Sequence, residues 1–124
     1  MRINLSSREV RNAVELFATA SLPQRRTWIE AKQLDPLLAH RRVVETANEL
    51  ADELEDPAYV DRRAIHRART LLASGLDFLE VLEASPATPT MLRARGATLA
   101  FMETLVAALG PLSAADSGLT GVHV

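Results

Sequence analysis

Six prolines divide this chain of 124 residues into stretches of helical length. A proline disrupts the interior of a helix because it lacks an N–H group, but it is well tolerated in the first turn. Pro23, Pro36 and Pro57 each closely follow a serine or aspartate, which are residue types that cap helix N-termini. Pro86 and Pro89 lie in the segment SPATPT, which indicates a break between helices. The prolines therefore predict where helices begin.

The segment LSSREV carries the signals of a helix start. Ser6 stands at the N-cap position and Glu9 follows three residues later, which is the capping-box pattern. Leu5 and Val10 occupy the positions of a hydrophobic staple, in which residues on either side of the cap contact each other. We therefore predict a first helix that runs from Ser6 to about Ala20.

Further capping signals predict four more helices. In SLPQ, Ser21 is the expected N-cap and Gln24 its capping-box partner. Asp35 and Asp56, each followed by proline, are the expected N-caps of the third and fourth helices. The predicted spans are about 22–34, 35–55, 56–84 and 90–109, the last beginning near 88–90. Gly110-Pro111 predicts a helix end, because glycine suits a left-handed C-cap and proline prevents continuation.

Composition and apolar spacing together indicate an all-α protein. Apolar residues make up 48% of the chain, and β-branched residues show no sustained alternation. The third and fourth predicted helices have near-heptad apolar spacing, which suits antiparallel packing. We predict an antiparallel helical bundle of about five helices, with a single domain at 1–110 and a short C-terminal tail at 111–124.

Several classes of function are disfavoured by what the sequence lacks. A net charge of −2 argues against a protein that is mainly a nucleic-acid binder. The chain has no cysteine, which excludes disulfides and thiolate metal sites, and it has no HExxH or ExxH pair. Neither a signal segment nor a membrane-spanning run is recognisable. We expect a cytoplasmic protein with no cofactor and no membrane partner, of a kind common in bacterial accessory and phage-derived loci.

Residues 45–69, ETANELADELEDPAYVDRRAIHRAR, change from acidic to basic at Asp56-Pro57. A two-residue turn there would fold the acidic end of one helix onto the basic start of the next. The expected opposite pairs are Asp52 with Arg62, Glu49 with His66 and Glu45 with Arg69. We interpret the stretch first as a hairpin whose two faces neutralise each other.

The same arginines also allow an anion-binding interpretation. A row of arginines on one helix face can follow phosphate groups. The candidate interaction residues are Arg62, Arg63, His66, Arg67, Arg69, Arg41 and Arg42. Of these, Arg62, Arg63, Arg67 and Arg69 are the alternative contacts to nucleic-acid phosphates. A nucleic acid is the less favoured partner, because no aromatic residues are interleaved for base stacking and carboxylates lie opposite.

The acidic half allows a third interpretation. Carboxylates spaced about one turn apart share a helix face and can hold Mg²⁺ through oxygen ligands. The candidate ligands are Glu45, Glu49, Asp52 and Glu53. The element ELAD resembles one ExxD pair of the all-α nucleotide pyrophosphatases of the MazG type, and the resemblance implies a Mg-dependent pyrophosphatase. The chain departs from that family because no ExxE pair precedes this element.

The last predicted helix is apolar on most of its circumference, which is typical of a central helix or of one shared with a second subunit. The candidate oligomer-interface residues are Leu99, Met102, Val106, Leu109 and Phe101. No complete catalytic constellation is present. We therefore favour a non-enzymatic protein–protein interaction module that associates with itself or with another protein, as a small adaptor, inhibitor or assembly subunit.

Three further residues are unusual for their places inside predicted helices. His40 occupies an inward position and is expected to be buried and hydrogen-bonded. Gly75 and Gly96 each disfavour a helix by about 1 kcal/mol relative to alanine. We expect both glycines to mark places where two helices approach closely.

Overall fold

The computed structural model describes the backbone of residues 2–117 and the side chains of residues 2–110. Four α-helices account for most of this part of the chain: α1 (Ser7–Glu30), α2 (Leu34–Glu55), α3 (Asp61–Glu83) and α4 (Pro89–Ser117). No strand occurs among these residues, so the predicted all-α class is confirmed. The predicted number of about five helices is wrong by one.

The four helices form a ring around one core. Each helix packs on its neighbours in the chain, and α4 packs back on α1. The diagonal helices α1 and α3 meet through core side chains such as Phe17 and Phe78, without close approach of their backbones. Short connections make successive helices antiparallel. An aromatic cluster of Phe17, Trp28, Phe78 and Phe101 lies in the core, surrounded by aliphatic side chains. Over the described residues, we find no helix with the length and apolar character needed to cross a bilayer.

The helix α1 joins the first two predicted helices, so Ser21 does not begin a helix. The buried Ser21 hydroxyl donates to the carbonyl of Phe17, one turn back, at 2.8 Å. Pro23 lies inside α1, and its missing N–H affects only the carbonyl of Thr19, an exposed residue. The buried positions of α1 recur at alternating steps of four and three residues: Val10, Val14, Phe17, Ser21, Gln24 and Trp28. Burial of this continuous stripe outweighs the local proline signal.

The end of α1 is a Schellman motif built around Lys32. The Lys32 N–H donates to the carbonyl of Ile29 at 3.1 Å, and the Gln33 N–H donates to the carbonyl of Trp28 at 2.8 Å. Lys32 has a φ of 56°, in the left-handed region that glycine favours. The chain therefore reverses here without the glycine that usually stands at this position.

Neither aspartate that precedes a proline caps a helix. The helix α2 begins at Leu34, one residue before Asp35, and its N-cap residue makes no side-chain cap hydrogen bond. The helix α3 begins only at Asp61. Asp56 instead accepts a hydrogen bond from the backbone N–H two residues later at 2.8 Å. The connection between α2 and α3 is therefore residues 56–60, longer than the predicted two-residue turn.

Tyr59 provides the physical reason for this longer connection. Its hydroxyl accepts a hydrogen bond from the N–H of Ile3 at 3.2 Å and donates one to Asp61. The Arg2 guanidinium lies 3.7 Å from the centre of the Tyr59 ring and donates to the carbonyl of Leu54 at 2.6 Å. These contacts join the N-terminal segment to the connection and outweigh the local helix signal of Asp56-Pro57.

The helix α4 continues through Gly110 and Pro111 to Ser117, so the predicted helix end at Leu109 is wrong. Gly110 does not adopt the left-handed conformation that the stop signal requires. Leu105 and Leu109 are buried and hold α4 on the core up to this point. The division into a domain and a tail stays a prediction, and residues 118–124 lie outside the described residues.

The two glycines inside helices differ in their surroundings. A Cβ added to Gly75 of α3 would lie 3.0 Å from the sulfur of Met102 on α4, so close helix approach is confirmed there. A Cβ added to Gly96 would meet no atom within 4 Å. The same prediction is therefore wrong for Gly96, which faces open space.

Candidate interaction surfaces

The α2–α3 hairpin brings opposite charges together, as the sequence predicts. Arg67 Nη1 lies 3.4 Å from Glu49 Oε2, and Arg67 Nε lies 3.3 Å from Glu53 Oε1. Arg63 Nε lies 3.6 Å from the same Glu53 oxygen. The acidic and basic segments therefore form one interface between the two helices.

The register of this interface differs from the prediction. Asp52 pairs with Arg11 of α1 at 2.8 Å and not with Arg62. Glu45 pairs within α2 with Arg41 at 2.7 Å. The longer connection between α2 and α3 moves the facing positions along the helices, so equal distances from Asp56-Pro57 no longer identify partners.

Glu53 is the buried member of the charged interface. Its side chain is only 4% exposed, and both Arg63 and Arg67 approach the same oxygen. Its other oxygen, Oε2, has no hydrogen-bond partner within residues 2–110. This role of Glu53 was not predicted from the sequence, although Thr46, Leu50 and Glu53 continue the buried side of α2 at steps of four and three residues.

The carboxylates proposed as metal ligands are each engaged by an arginine. Their partners are Arg41 for Glu45, Arg67 for Glu49, Arg11 for Asp52, and Arg63 with Arg67 for Glu53. Within the described residues, no three or more histidine, aspartate or glutamate side chains form a group that could hold a metal ion. Nothing in this geometry favours the pyrophosphatase interpretation, which stays a prediction.

A basic groove on α3 is lined by Arg62, Arg63, His66 and Arg67. The Arg62 and His66 side chains are exposed and make no hydrogen bond or ion pair with other described residues. Arg69, a half-buried residue, lies further along the same helix. The other two candidates, Arg41 and Arg42, are in the first half of α2, so antiparallel packing places them towards the opposite end of the hairpin. The structure thus brings together four of the seven candidate interaction residues.

The candidate oligomer-interface residues on α4 have very different exposures. Phe101 and Leu109 are buried in the core of the same chain, while Leu99 and Met102 are half-buried. Val106 is the most accessible of the five, at 55% exposed. The interface hypothesis stays a prediction, and the fold limits how much of this set a second subunit could contact.

An apolar groove lies between α1 and α4. Its lining is Ala13, Leu16 and Ala20 from α1 and Ala97, Ala100, Phe101 and Thr104 from α4. None of these side chains is charged, and Leu16 is 70% exposed. Of these groove residues, only Phe101 was predicted from the sequence to lie at an interface. Recurrent alanine on two adjacent helices is the signal that points to such a groove, once the pairing of α1 with α4 is known.

A second pocket lies between α1 and α2, where His40 forms part of the lining. His40 is buried as predicted and stacks on Phe17 with ring centres 4.9 Å apart. Its Nε2, however, has no hydrogen-bond partner within residues 2–110, contrary to the prediction. Burial, assisted by the charge of Arg25, lowers the pKa of His40 from 6.5 to about 4, so the imidazole is neutral at physiological pH.

Comparison of this chain with family models, curated proteins and solved structures gives no match. Its function is therefore inferred from the geometry of its own surfaces.

Proposed function

We propose that this chain is a non-enzymatic protein–protein interaction module that forms a homodimer through the groove between α1 and α4. The observation that carries the proposal is the position of Leu16. It is 70% exposed and stands beside a groove lined by alanines. Together, Leu16 and the uncharged groove form a contiguous apolar surface, and such surfaces are typical of sites that pack against a partner.

The occupant that fits best is a second copy of the same chain. A two-fold symmetric interface uses the same patch on both subunits, so one patch must offer both a projection and a depression that accepts it. Here Leu16 is the projection, while Ala20, Ala97 and Ala100 line the depression. Gly96, exposed and without a neighbour within 4 Å, leaves additional room on α4 for close approach.

The energetics agree with this arrangement. Full burial of a leucine side chain contributes about 1.5–3 kcal/mol, and a symmetric dimer buries two copies of Leu16. No charged side chain lines the groove, so dimerisation there does not require the desolvation of a charged group. The favourable free energy of burying Leu16 therefore does not require compensating ion pairs at the centre of the interface.

Sedimentation velocity at micromolar concentration tests the proposal. We expect a species of twice the monomer mass of 13.5 kDa. The variant Leu16→Glu places two carboxylates at the centre of the interface and should give a monomer. Leu76→Glu is the matched control, because Leu76 is 56% exposed and lies on α3, which is diagonal to α1. This control should remain dimeric.

Two results would contradict the homodimer. A wild-type chain that stays monomeric up to the highest soluble concentration removes it. Loss of the dimer in Leu76→Glu but not in Leu16→Glu places the contact on another face. Circular dichroism of both variants establishes that each is folded, so that unfolding is not mistaken for dissociation.

Contact with phosphate groups is the second candidate function, and the basic groove of α3 favours it. Arg62 and His66 are accessible there without partners among the described residues. Binding to oligonucleotides should then weaken steeply with salt, and Arg62→Gln should lower the affinity. Arg26→Gln, which replaces an exposed arginine of α1 outside the candidate interaction residues, is the control. Absence of binding at low salt, or equal effects of the two variants, rejects this function.

A further inference from the structure

The pocket between α1 and α2 has the size and walls of a small-molecule site. Its volume is about 410 Å³, within the range of about 300–1,000 Å³ that is common for ligand pockets. Ala18 and Ile29 of α1 and Leu37 and Val44 of α2 give it apolar walls. The pocket can therefore hold an apolar group of several carbon atoms.

The charged side chains of this pocket are both cationic, but only one is already neutralised. Arg41 donates to Glu45 at 2.7 Å. Arg25 is half-buried and has no carboxylate partner among residues 2–110. The pocket therefore has one uncompensated positive charge beside its apolar walls.

His40 is the buried polar residue of the lining. It is 4% exposed and lines the pocket, and its Nε2 has no hydrogen-bond partner among the described residues. Buried polar atoms are normally hydrogen-bonded, so an unpartnered one at a pocket is unusual. Because its imidazole is neutral, His40 adds no second positive charge to the lining.

We propose that this pocket binds a small monocarboxylate with an apolar body. The carboxylate would pair with Arg25, and the apolar body would contact Ile29, Leu37 and Val44. One free arginine matches one negative charge. A phosphate dianion would bring a second charge, for which the lining offers no other uncompensated cation.

Titration with octanoate, followed by methyl chemical shifts, tests this site. Octanoate has one carboxylate and an unbranched apolar chain, and octanamide is the uncharged control of nearly the same shape. We expect octanoate to shift the methyl signals of Ile29 and Val44, while those of Leu76 on α3 stay in place. Octanamide should bind about tenfold or more weakly, the effect of losing one charge-assisted hydrogen bond.

A pair of neighbouring arginines provides the matched variants. Arg25→Gln should weaken octanoate binding about tenfold or more, because it removes the cation from the pocket. Arg26→Gln removes an exposed arginine one position along α1 and should leave the affinity unchanged. Thermal unfolding followed by circular dichroism verifies that both variants are folded.

Three outcomes would overturn the proposal. Octanoate that causes no methyl shifts at millimolar concentration shows that the pocket does not take this ligand. Equal binding of octanoate and octanamide shows that apolar contact alone is responsible. Equal loss in Arg25→Gln and Arg26→Gln indicates a general charge effect. The site does not depend on the proposed dimer, so Leu16→Glu should bind octanoate like the wild type.

Discussion

The two ends of α2 each hold a buried polar side chain with an unpartnered atom. Near the N-terminal end it is His40 Nε2, and near the C-terminal end it is Glu53 Oε2, with partners counted over residues 2–110. The surroundings differ in sign. Glu53 is approached by Arg63 and Arg67 from α3, whereas His40 lies beside Arg25, which carries the same charge as a protonated imidazole.

This difference shows that charge can be compensated within the fold at one end of a helix and left uncompensated at the other. Opposite charges let α2 and α3 meet around Glu53, so the carboxylate is covered. Burial, assisted by the positive charge of Arg25, lowers the pKa of His40 and keeps its imidazole neutral, and Arg25 has no carboxylate partner within the described residues. The α2–α3 end is therefore internally neutralised, while the α1–α2 end can accept an anion from outside.

The largest expected loss of stability follows from removing the arginines that neutralise Glu53. Replacing both Arg63 and Arg67 with methionine leaves Glu53 buried without a compensating charge. We expect the free energy of unfolding to fall by about 3–5 kcal/mol, as for other buried pairs that lose one partner. Urea denaturation measures the loss. Arg62→Met, on the same turn but without a carboxylate partner, is the control and should change stability little. A loss below about 1 kcal/mol in the double variant means that Glu53 is hydrated.

The next effect concerns His40 and pH. Its pKa in the folded state is about 4, below the ordinary value of 6.5, so the unfolded chain takes up the proton first as pH falls. This group therefore costs no stability well above pH 6.5, and its cost grows as pH falls from 6.5 to 4. The integrated loss is about 3 kcal/mol at about 1.4 kcal/mol per pKa unit.

His40→Leu isolates this contribution. Leucine fills a similar place in the core but cannot titrate, so the difference in unfolding free energy between the two proteins should change with pH only below about neutrality. Urea denaturation at a series of pH values measures it. If the two proteins lose stability in parallel over this range, His40 is not the group responsible.

A smaller effect concerns the connection at the His40 end of α2. Lys32 is held in the left-handed region, which costs a non-glycine residue roughly 1–2 kcal/mol. Lys32→Gly should raise stability by about 0.5–1 kcal/mol, since glycine removes this strain but loses more entropy on folding. Gln33→Gly, at the next position, lacks the strain and should instead be neutral or destabilising. The melting temperatures of the two variants should therefore move apart.

The smallest effect lies among the exposed ion pairs near Glu53. Arg11 donates to Asp52 at 2.8 Å and to Glu55 at 3.1 Å, with all three side chains open to solvent. Arg11→Gln should change stability only slightly, because exposed ion pairs contribute little. Hydrogen bonds from Arg11 and Ser7 lower the pKa of Glu55, so this pKa should rise in the variant. A carboxyl NMR titration checks the shift, and an unchanged pKa would mean that the pair does not form in solution.

Local signals in the sequence predicted several features correctly. The capping box is formed, with Ser6 Oγ accepting from the Glu9 N–H and Glu9 Oε1 accepting from the Ser6 N–H, each at 3.1 Å. The end of α2 at Glu55 and the start of α4 at Pro89 also agree with the prediction. These features depend on residues a few positions apart, which is why the sequence is sufficient for them.

The sequence by itself thus determined the all-α class, the first helix start and the facing of acidic α2 with basic α3. Tertiary structure decided that Pro23 lies within a helix, that the α2–α3 connection is long, and that Glu53 is the enclosed carboxylate. The physical reason is the same in each case. Local capping preferences contribute about 1 kcal/mol, and burial of a large side chain such as Trp28 contributes more. Which side chains become buried depends on contacts between distant parts of the chain.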